Sequence, residues 1–97
     1  MAAQNYEAMV VFSLKNGEEA LAALKERFQT LIEQNGTVAE VKEWGRRLLK
    51  YPIKKETEGY YMLYYFSAEP EFPLEFQRIA GISDGVLRTL VIRHEGK

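Results

Sequence analysis

Cysteine is absent from this 97-residue chain, and histidine occurs once, as His94. Without cysteine the chain forms no disulfide and offers no thiolate nucleophile, which fits a reducing compartment. A single histidine excludes any metal site that needs several histidine ligands. Disulfide-stabilised modules and multi-histidine metal centres are therefore excluded as functional classes.

Long apolar runs are also missing. No run approaches the roughly 20 residues that span a membrane, and the start, MAAQNYEAMVV, lacks the basic region and long apolar core of a signal peptide. We therefore expect a soluble cytoplasmic protein. The apolar fraction of 46% is sufficient for one modest core, so we predict a single domain over residues 1–97.

Motifs for catalysis are absent from the sequence as well. It contains no glycine-rich phosphate loop, no metal-ligand spacing and no Ser-His-Asp set. Glu69 and Glu71 precede a predicted helix, where acidic residues favour the helix dipole, and no nucleophile accompanies them. We expect no enzymatic activity, no cofactor and no metal.

Apolar periodicity predicts the element order βαββαβ. The first helix begins after Asn16-Gly17, carries an apolar stripe at helical spacing and ends at Asn35-Gly36. A second helix follows Pro70 and Pro73. The predicted strands are residues 6–12, 37–51, 59–68 and 86–93, with a charged loop over residues 54–59. This order is typical of an α+β, ferredoxin-like split-βαβ sandwich, a four-stranded antiparallel sheet with two helices on one face.

The strands of this sheet are predicted to be apolar on both faces. Because side chains alternate along a strand and the helices cover one face only, the second apolar set is left open to solvent. The predicted open patch contains Tyr61, Leu63, Tyr65, Leu90 and Ile92. Such patches mark interaction sites, and a homodimer through this face is an alternative use of it.

Positive charge is concentrated in the stretch WGRRLLKYPIKK, residues 44–55, which holds five cations and no acid. The whole chain has 13 Lys+Arg against 14 Asp+Glu, a formal net charge of −1. Gly45 predicts a β-bulge, which would allow Arg46 and Arg47 to share a face. Arginine beside aromatic residues favours RNA, since its planar fork suits phosphates and stacks on bases. Long cations on an edge strand also prevent aggregation, and that interpretation stays open.

A balanced net charge argues against a non-specific nucleic-acid binder, whose whole domain is usually basic. A local basic edge beside an apolar face instead predicts a protein that binds RNA and another protein together.

The segment Trp44-Gly45-Arg46-Arg47-Leu48-Leu49-Lys50-Tyr51-Pro52-Ile53 resembles the signature of the bacterial ribosomal small-subunit protein six family. The similarity extends in register over about 90 residues, through Tyr6-Glu7, Asn35-Gly36, Gly59-Tyr60-Tyr61 and Val86-Leu87-Arg88. Leu48 and Lys50 depart from the residues that the family has at these positions.

This resemblance implies a structural constituent of the small ribosomal subunit. It implies binding to the central domain of small-subunit ribosomal RNA together with ribosomal small-subunit protein eighteen, during assembly of the platform. The candidate RNA contacts are Arg46, Arg47, Lys54, Lys55, Arg88, Arg93 and Tyr6. The candidate partner-protein contacts are Tyr61, Leu63, Tyr65, Leu90, Ile92 and Trp44.

Several alternatives remain open at this point. Tyr6 stacks on a base or caps the core, and Arg88 meets phosphate or pairs with Glu7 across the sheet. A regulatory homodimer of the same fold that binds a small ligand is the main alternative function. An acyl-phosphate hydrolase of similar fold is a second, but SLKNGEE after the first strand does not provide its phosphate-cradling loop.

Overall fold

The structure, a computed structural model, describes residues 3–93, and His94 lies outside them. Six elements follow one another as β1 (Gln4–Phe12), α1 (Gly17–Asn35), β2 (Gly36–Ile53), β3 (Glu56–Ala68), α2 (Phe72–Gly81) and β4 (Val86–Arg93). The strands form one antiparallel sheet in the order β2-β3-β1-β4. The predicted α+β, ferredoxin-like arrangement is confirmed. No helix among the described residues is long and apolar enough to cross a membrane.

The core lies between the two helices and one face of the sheet, which we call the helix face. Alternate residues of the central strands point into it, and α1 and α2 each add an apolar stripe. Phenylalanines dominate this contact: the Phe28 and Phe76 rings meet edge-on at 5.5 Å between centroids, and Phe66 and Phe72 at 5.7 Å. The principal buried residues are Ala8, Val10, Phe12, Phe28, Ile32, Met62, Tyr64, Phe66 and Phe76.

Tyr64 joins the sheet to α1 within this core. Its hydroxyl donates a hydrogen bond of 3.1 Å to the backbone carbonyl of Lys25. Burial raises the pKa of the Tyr64 phenol well above its usual value, because the interior disfavours the phenolate. The ring therefore stays neutral and keeps its donor.

The β2–β3 hairpin is longer than predicted. The expected loop over residues 54–59 is wrong, because only Lys54 and Lys55 form the turn and β3 begins at Glu56. Both turn residues have positive φ, 52° and 68°, as a type I′ hairpin turn requires. Ser13, at the end of β1, donates a hydrogen bond to the Glu56 carboxylate at 2.7–2.8 Å, which anchors the hairpin to the sheet.

The predicted bulge at Gly45 is present. Glu43 lies opposite Met62 and Gly45 opposite Tyr61, so Trp44 is the extra residue of β2. Two further irregularities interrupt β2, between Val38 and Glu40 and between Leu48 and Ile53. Each of these irregularities bends the edge strand locally.

Candidate RNA and partner-protein surfaces

The bulge decides where the two consecutive arginines point. Arg46 lies opposite Tyr60, which is on the same face of β3 as the core residues Met62 and Tyr64. Arg47 lies opposite Gly59, on the other face of the sheet. We call this other face the open face. The expectation that the bulge would bring both arginines onto one face is therefore wrong. The bulge shifts the alternation by one residue, which places Trp44 and Arg47 together and leaves Arg46 on the helix face.

The surroundings of the two arginines also differ. Arg46 lies near a carboxylate, with 3.8 Å between its Nε and Oε1 of Glu58, in an exposed pair. The guanidinium of Arg47 instead lies over the Trp44 indole, 5.1 Å from the ring centroid. The Trp44 ring is stacked on Tyr61, 6.5 Å between centroids and 20° between planes. Arg47 thus sits on an aromatic surface that keeps its charge in contact with solvent.

The turn of the hairpin brings more cations towards β4. Residues from both segments line a small cavity of about 150 Å³, namely Leu49, Lys50, Tyr51, Ile53, Tyr61 and Arg88. Lys54 lines a neighbouring depression together with Arg88 and residues of α2. We call the group formed by Arg47, Lys50, Lys54, Lys55 and Arg88 the basic end of the sheet.

Arg88 is not paired with Glu7, the alternative considered from the sequence. The register sets Arg88 opposite Val11 and Glu7 opposite Ile92, four residues away along β4. The Glu7 carboxylate accepts a hydrogen bond of 3.4 Å from the Tyr65 hydroxyl. Among residues 3–93, no carboxylate forms an ion pair with Arg88.

The other half of the open face is apolar and exposed. Leu90 and Ile92 are 45% and 48% exposed, and Tyr65 is half-buried beside Lys42, whose ammonium lies 5.5 Å from the ring centroid. Acidic residues lie here too, since Glu40 is opposite Tyr65 on β2 and Glu7 is on β1. We call this half, formed by Tyr65, Leu90 and Ile92, the apolar end.

The expectation that Leu63 is exposed is wrong. It points to the open face but is only 3% exposed, because it lies in mid-sheet between Met9 and Lys42, with Tyr61 and Tyr65 on either side along β3. A protein bound to this face would therefore contact the side chains around Leu63, such as Tyr61 and Tyr65, more than Leu63 itself. Trp44 and Tyr61 lie at the boundary between the apolar end and the basic end.

Two predicted RNA contacts lie away from the basic end. Tyr6 is on the helix face, 8% exposed, with its ring centroid 5.7 Å from that of Phe66. The prediction that it stacks on a base is wrong, because its ring is enclosed in the core. Arg93 is opposite Tyr6 in the register, which places it at the other end and on the other face from Arg88.

Sequence reasoning did not single out Lys50 as a candidate contact, although it belongs to the cationic stretch. No partner on β3 is paired with residues 49–52, so this segment leaves the regular ladder and Lys50 reaches the cavity beside Arg88. Pro52 is the sequence signal, because it supplies no backbone donor for regular pairing.

On the helix face, Glu43 forms a structural contact between α1 and the hairpin. Its carboxylate accepts a 2.7 Å hydrogen bond from the Tyr60 hydroxyl and lies 3.4 Å from the Lys25 ammonium. The Tyr60 hydrogen bond, with help from Lys25, lowers the pKa of Glu43. Residues 3–93 contain no group of three or more acidic or histidine side chains that could hold a metal.

Comparisons with known proteins give a consistent match over almost the whole chain. The family model described as ribosomal protein S6 matches residues 5–93. The chain is 47% identical over 93 residues to small ribosomal subunit protein bS6 of Clostridium novyi, covering 95% of this chain and 98% of the relative. It is 46% identical to bS6 of Caldanaerobacter subterraneus, covering 93% and 96%. A crystal structure of 30S ribosomal protein S6 from Thermotoga maritima superposes with a TM-score of 0.88 at 28% identity, covering 95% of this chain and 88% of that one.

Proposed function

The chain belongs to the ribosomal protein S6 family, and from this we propose that it binds the central domain of small-subunit ribosomal RNA together with ribosomal small-subunit protein eighteen. Members of the family are structural, non-enzymatic proteins of the small ribosomal subunit, so the chain is located on the ribosome and associates with ribosomal RNA. The central domain of the RNA and protein eighteen are the specific partners that we propose.

The observation that carries the proposal is the division of the open face into two chemically different halves. The basic end consists of five cations, of which Arg47 and Arg88 form no ion pair within residues 3–93. The apolar end has exposed Leu90 and Ile92 together with Glu7 and Glu40, whose charge repels phosphate. RNA therefore favours the first half and an apolar protein surface the second.

The proposed mechanism is a shared surface. The partner protein covers Tyr65, Leu90 and Ile92, and its own surface continues the basic end. The joint surface then binds folded RNA by shape and by phosphate contacts. The isolated chain binds RNA weakly, because few cations are available for counterion release and the net charge is −1.

In this proposal the arginines have unequal weight. Arg47 contacts RNA directly, whereas Arg46, which faces the helix side beside Glu58, contributes little. Lys54, Lys55 and Arg88 contact phosphate. Arg93 lies at the far end of β4, so it is retained only as a secondary RNA contact. The homodimeric ligand-binding alternative is not carried further, because the family is one of ribosomal structural proteins.

The test is RNA binding measured by filter retention, with a central-domain fragment, in the presence and absence of the partner protein. We expect tight binding only with the partner, and a loss of about tenfold for Arg47→Ala, since hydrogen bonds to a charged group are the stronger class. Arg46→Ala is the matched control, with the same chemical change on the opposite face. Tight binding by the isolated chain, or equal losses for both variants, would contradict the proposal.

A further inference from the structure

Trp44 is the single tryptophan of the chain and is 46% exposed. The five phenylalanines lie in the buried core, whereas Trp44, like Tyr51, keeps a large part of its aromatic ring in solvent. Trp44 is the extra residue of the bulge, so no residue of β3 lies opposite it in the ladder. It projects on the open face at the edge of the basic end.

The indole is held in place by its neighbours. Tyr61 stacks on it at 6.5 Å with nearly parallel planes, and Arg47 lies over it at 5.1 Å. The φ of +86° at Gly45 is the backbone conformation that permits the bulge. With strict alternation Trp44 would share its face with Arg46, and the indole would not lie beside Arg47.

The guanidinium of Arg47 carries several N–H donors at the surface of this arrangement. Within the described part of the chain, no carboxylate or carbonyl accepts a hydrogen bond from it, whereas Arg46 has Glu58 nearby. An aromatic ring beside a planar cation with free N–H groups is the combination that binds unpaired bases in RNA-binding proteins. The ring supplies the stacking surface, and the cation contacts the base edge or its phosphate.

We propose that Trp44 and Arg47 together bind one unpaired nucleobase, which stacks on the exposed part of the indole. This rests on the proposed function, because it specifies what the basic end recognises: a splayed-out base in addition to backbone phosphate. It assigns Trp44 to RNA instead of to the partner protein. The other cations of the basic end then position the strand by phosphate contacts that carry no base information.

The experiment uses Trp44 as its own reporter, since no other tryptophan contributes to the emission. The full chain is mixed with a tryptophan-free form of its partner protein. This mixture is titrated with a short unstructured RNA and, in parallel, with an abasic oligomer of the same length and charge. We expect the RNA to quench the Trp44 emission and to bind about tenfold more tightly than the abasic oligomer, because stacking adds to a similar phosphate contribution.

Three variants separate base stacking from charge. Arg47→Lys keeps the charge without the planar fork, so we expect it to retain binding of the abasic oligomer and to lose most of the preference for RNA. Trp44→Leu is expected to lose the same preference, measured by filter retention because the reporter is gone. Arg46→Lys, the matched control, is expected to change neither.

The outcomes distinguish this inference from the proposed function. Equal binding and equal quenching by RNA and the abasic oligomer would mean phosphate contact alone and would overturn the inference. Central-domain binding without any change in Trp44 emission would overturn it too, while the proposed function stands. No central-domain binding with the partner present overturns both.

Discussion

Gly45 has a φ of +86°, in the left-handed region that residues with a Cβ rarely adopt. A Cβ added there would meet nothing within 4 Å, so a substitution is opposed by backbone strain and not by crowding. We predict that Gly45→Ala lowers the free energy of unfolding by about 1 kcal/mol, the usual cost of placing an L-residue in this region. Urea unfolding followed by circular dichroism measures it.

Gly81, the last residue of α2, is the matched control for this substitution. Its added Cβ would also meet nothing within 4 Å, but its φ is outside the left-handed region. Gly81→Ala is therefore expected to leave stability unchanged or slightly raised, since alanine restricts the unfolded chain more than glycine does. Equal effects of the two substitutions would show that the bulge does not depend on glycine at position 45.

At this scale the sequence predicts residue types better than residue directions. The cationic stretch, its aromatic neighbours and the glycine bulge were all predicted. The face of each arginine was not, because one extra residue exchanges the two faces and the sequence does not say whether Trp44 or its neighbour is the extra one. The sequence also does not decide whether Tyr6 packs in the core or stacks on an RNA base, since a tyrosine side chain fits both environments.

Among the elements, the β2–β3 hairpin has a folding role at its turn and, in the proposed function, an RNA-binding role there as well. Lys54 and Lys55 both have positive φ, where Asn and Gly are much better tolerated. We predict that the double substitution Lys54→Asn with Lys55→Gly raises the free energy of unfolding by about 1 kcal/mol. The same variant is expected to bind central-domain RNA more weakly with the partner present, because two cations are lost from the basic end.

A charge-matched control separates the two effects. Lys54→Gln with Lys55→Gln removes the same charges but keeps side chains that the turn does not favour. We expect its RNA affinity to fall as much as that of the Asn-Gly variant, without the gain in stability in urea unfolding. If both double variants gained stability equally, relief of charge repulsion and not turn geometry would be the cause.

Element boundaries follow from the sequence where periodicity is strong. The last strand was predicted over residues 86–93, as observed, and the first helix began and ended within one or two residues of α1. The hairpin turn was not predicted, because KKETEG is polar throughout and carries no Asn-Gly signal. Residues 56–59 of this segment belong to β3 because they pair with β2, and Glu56 also accepts a hydrogen bond from Ser13.

At the scale of the whole molecule, charge is balanced in total but separated in space. The net charge is −1, yet five cations lie together around the basic end, while Arg78 on α2 is bound to Glu75 by contacts of 2.6 and 3.1 Å. In the proposed function, this one end supplies most of the phosphate contacts, and the total charge of the chain does not reveal it.

Salt dependence tests this separation. Each phosphate contact contributes roughly −0.7 to −0.9 to the slope of log affinity against log salt, so the five cations contribute about −4. With the partner present in every sample, its own contribution cancels between variants. We predict that Arg88→Ala makes the slope less steep by about 1, as measured by filter retention at a series of salt concentrations.

Arg78→Ala, which removes the same charge from the far side of the molecule, is expected to leave the slope unchanged. Equal changes for the two variants would mean that RNA responds to the total charge of the chain and not to the basic end.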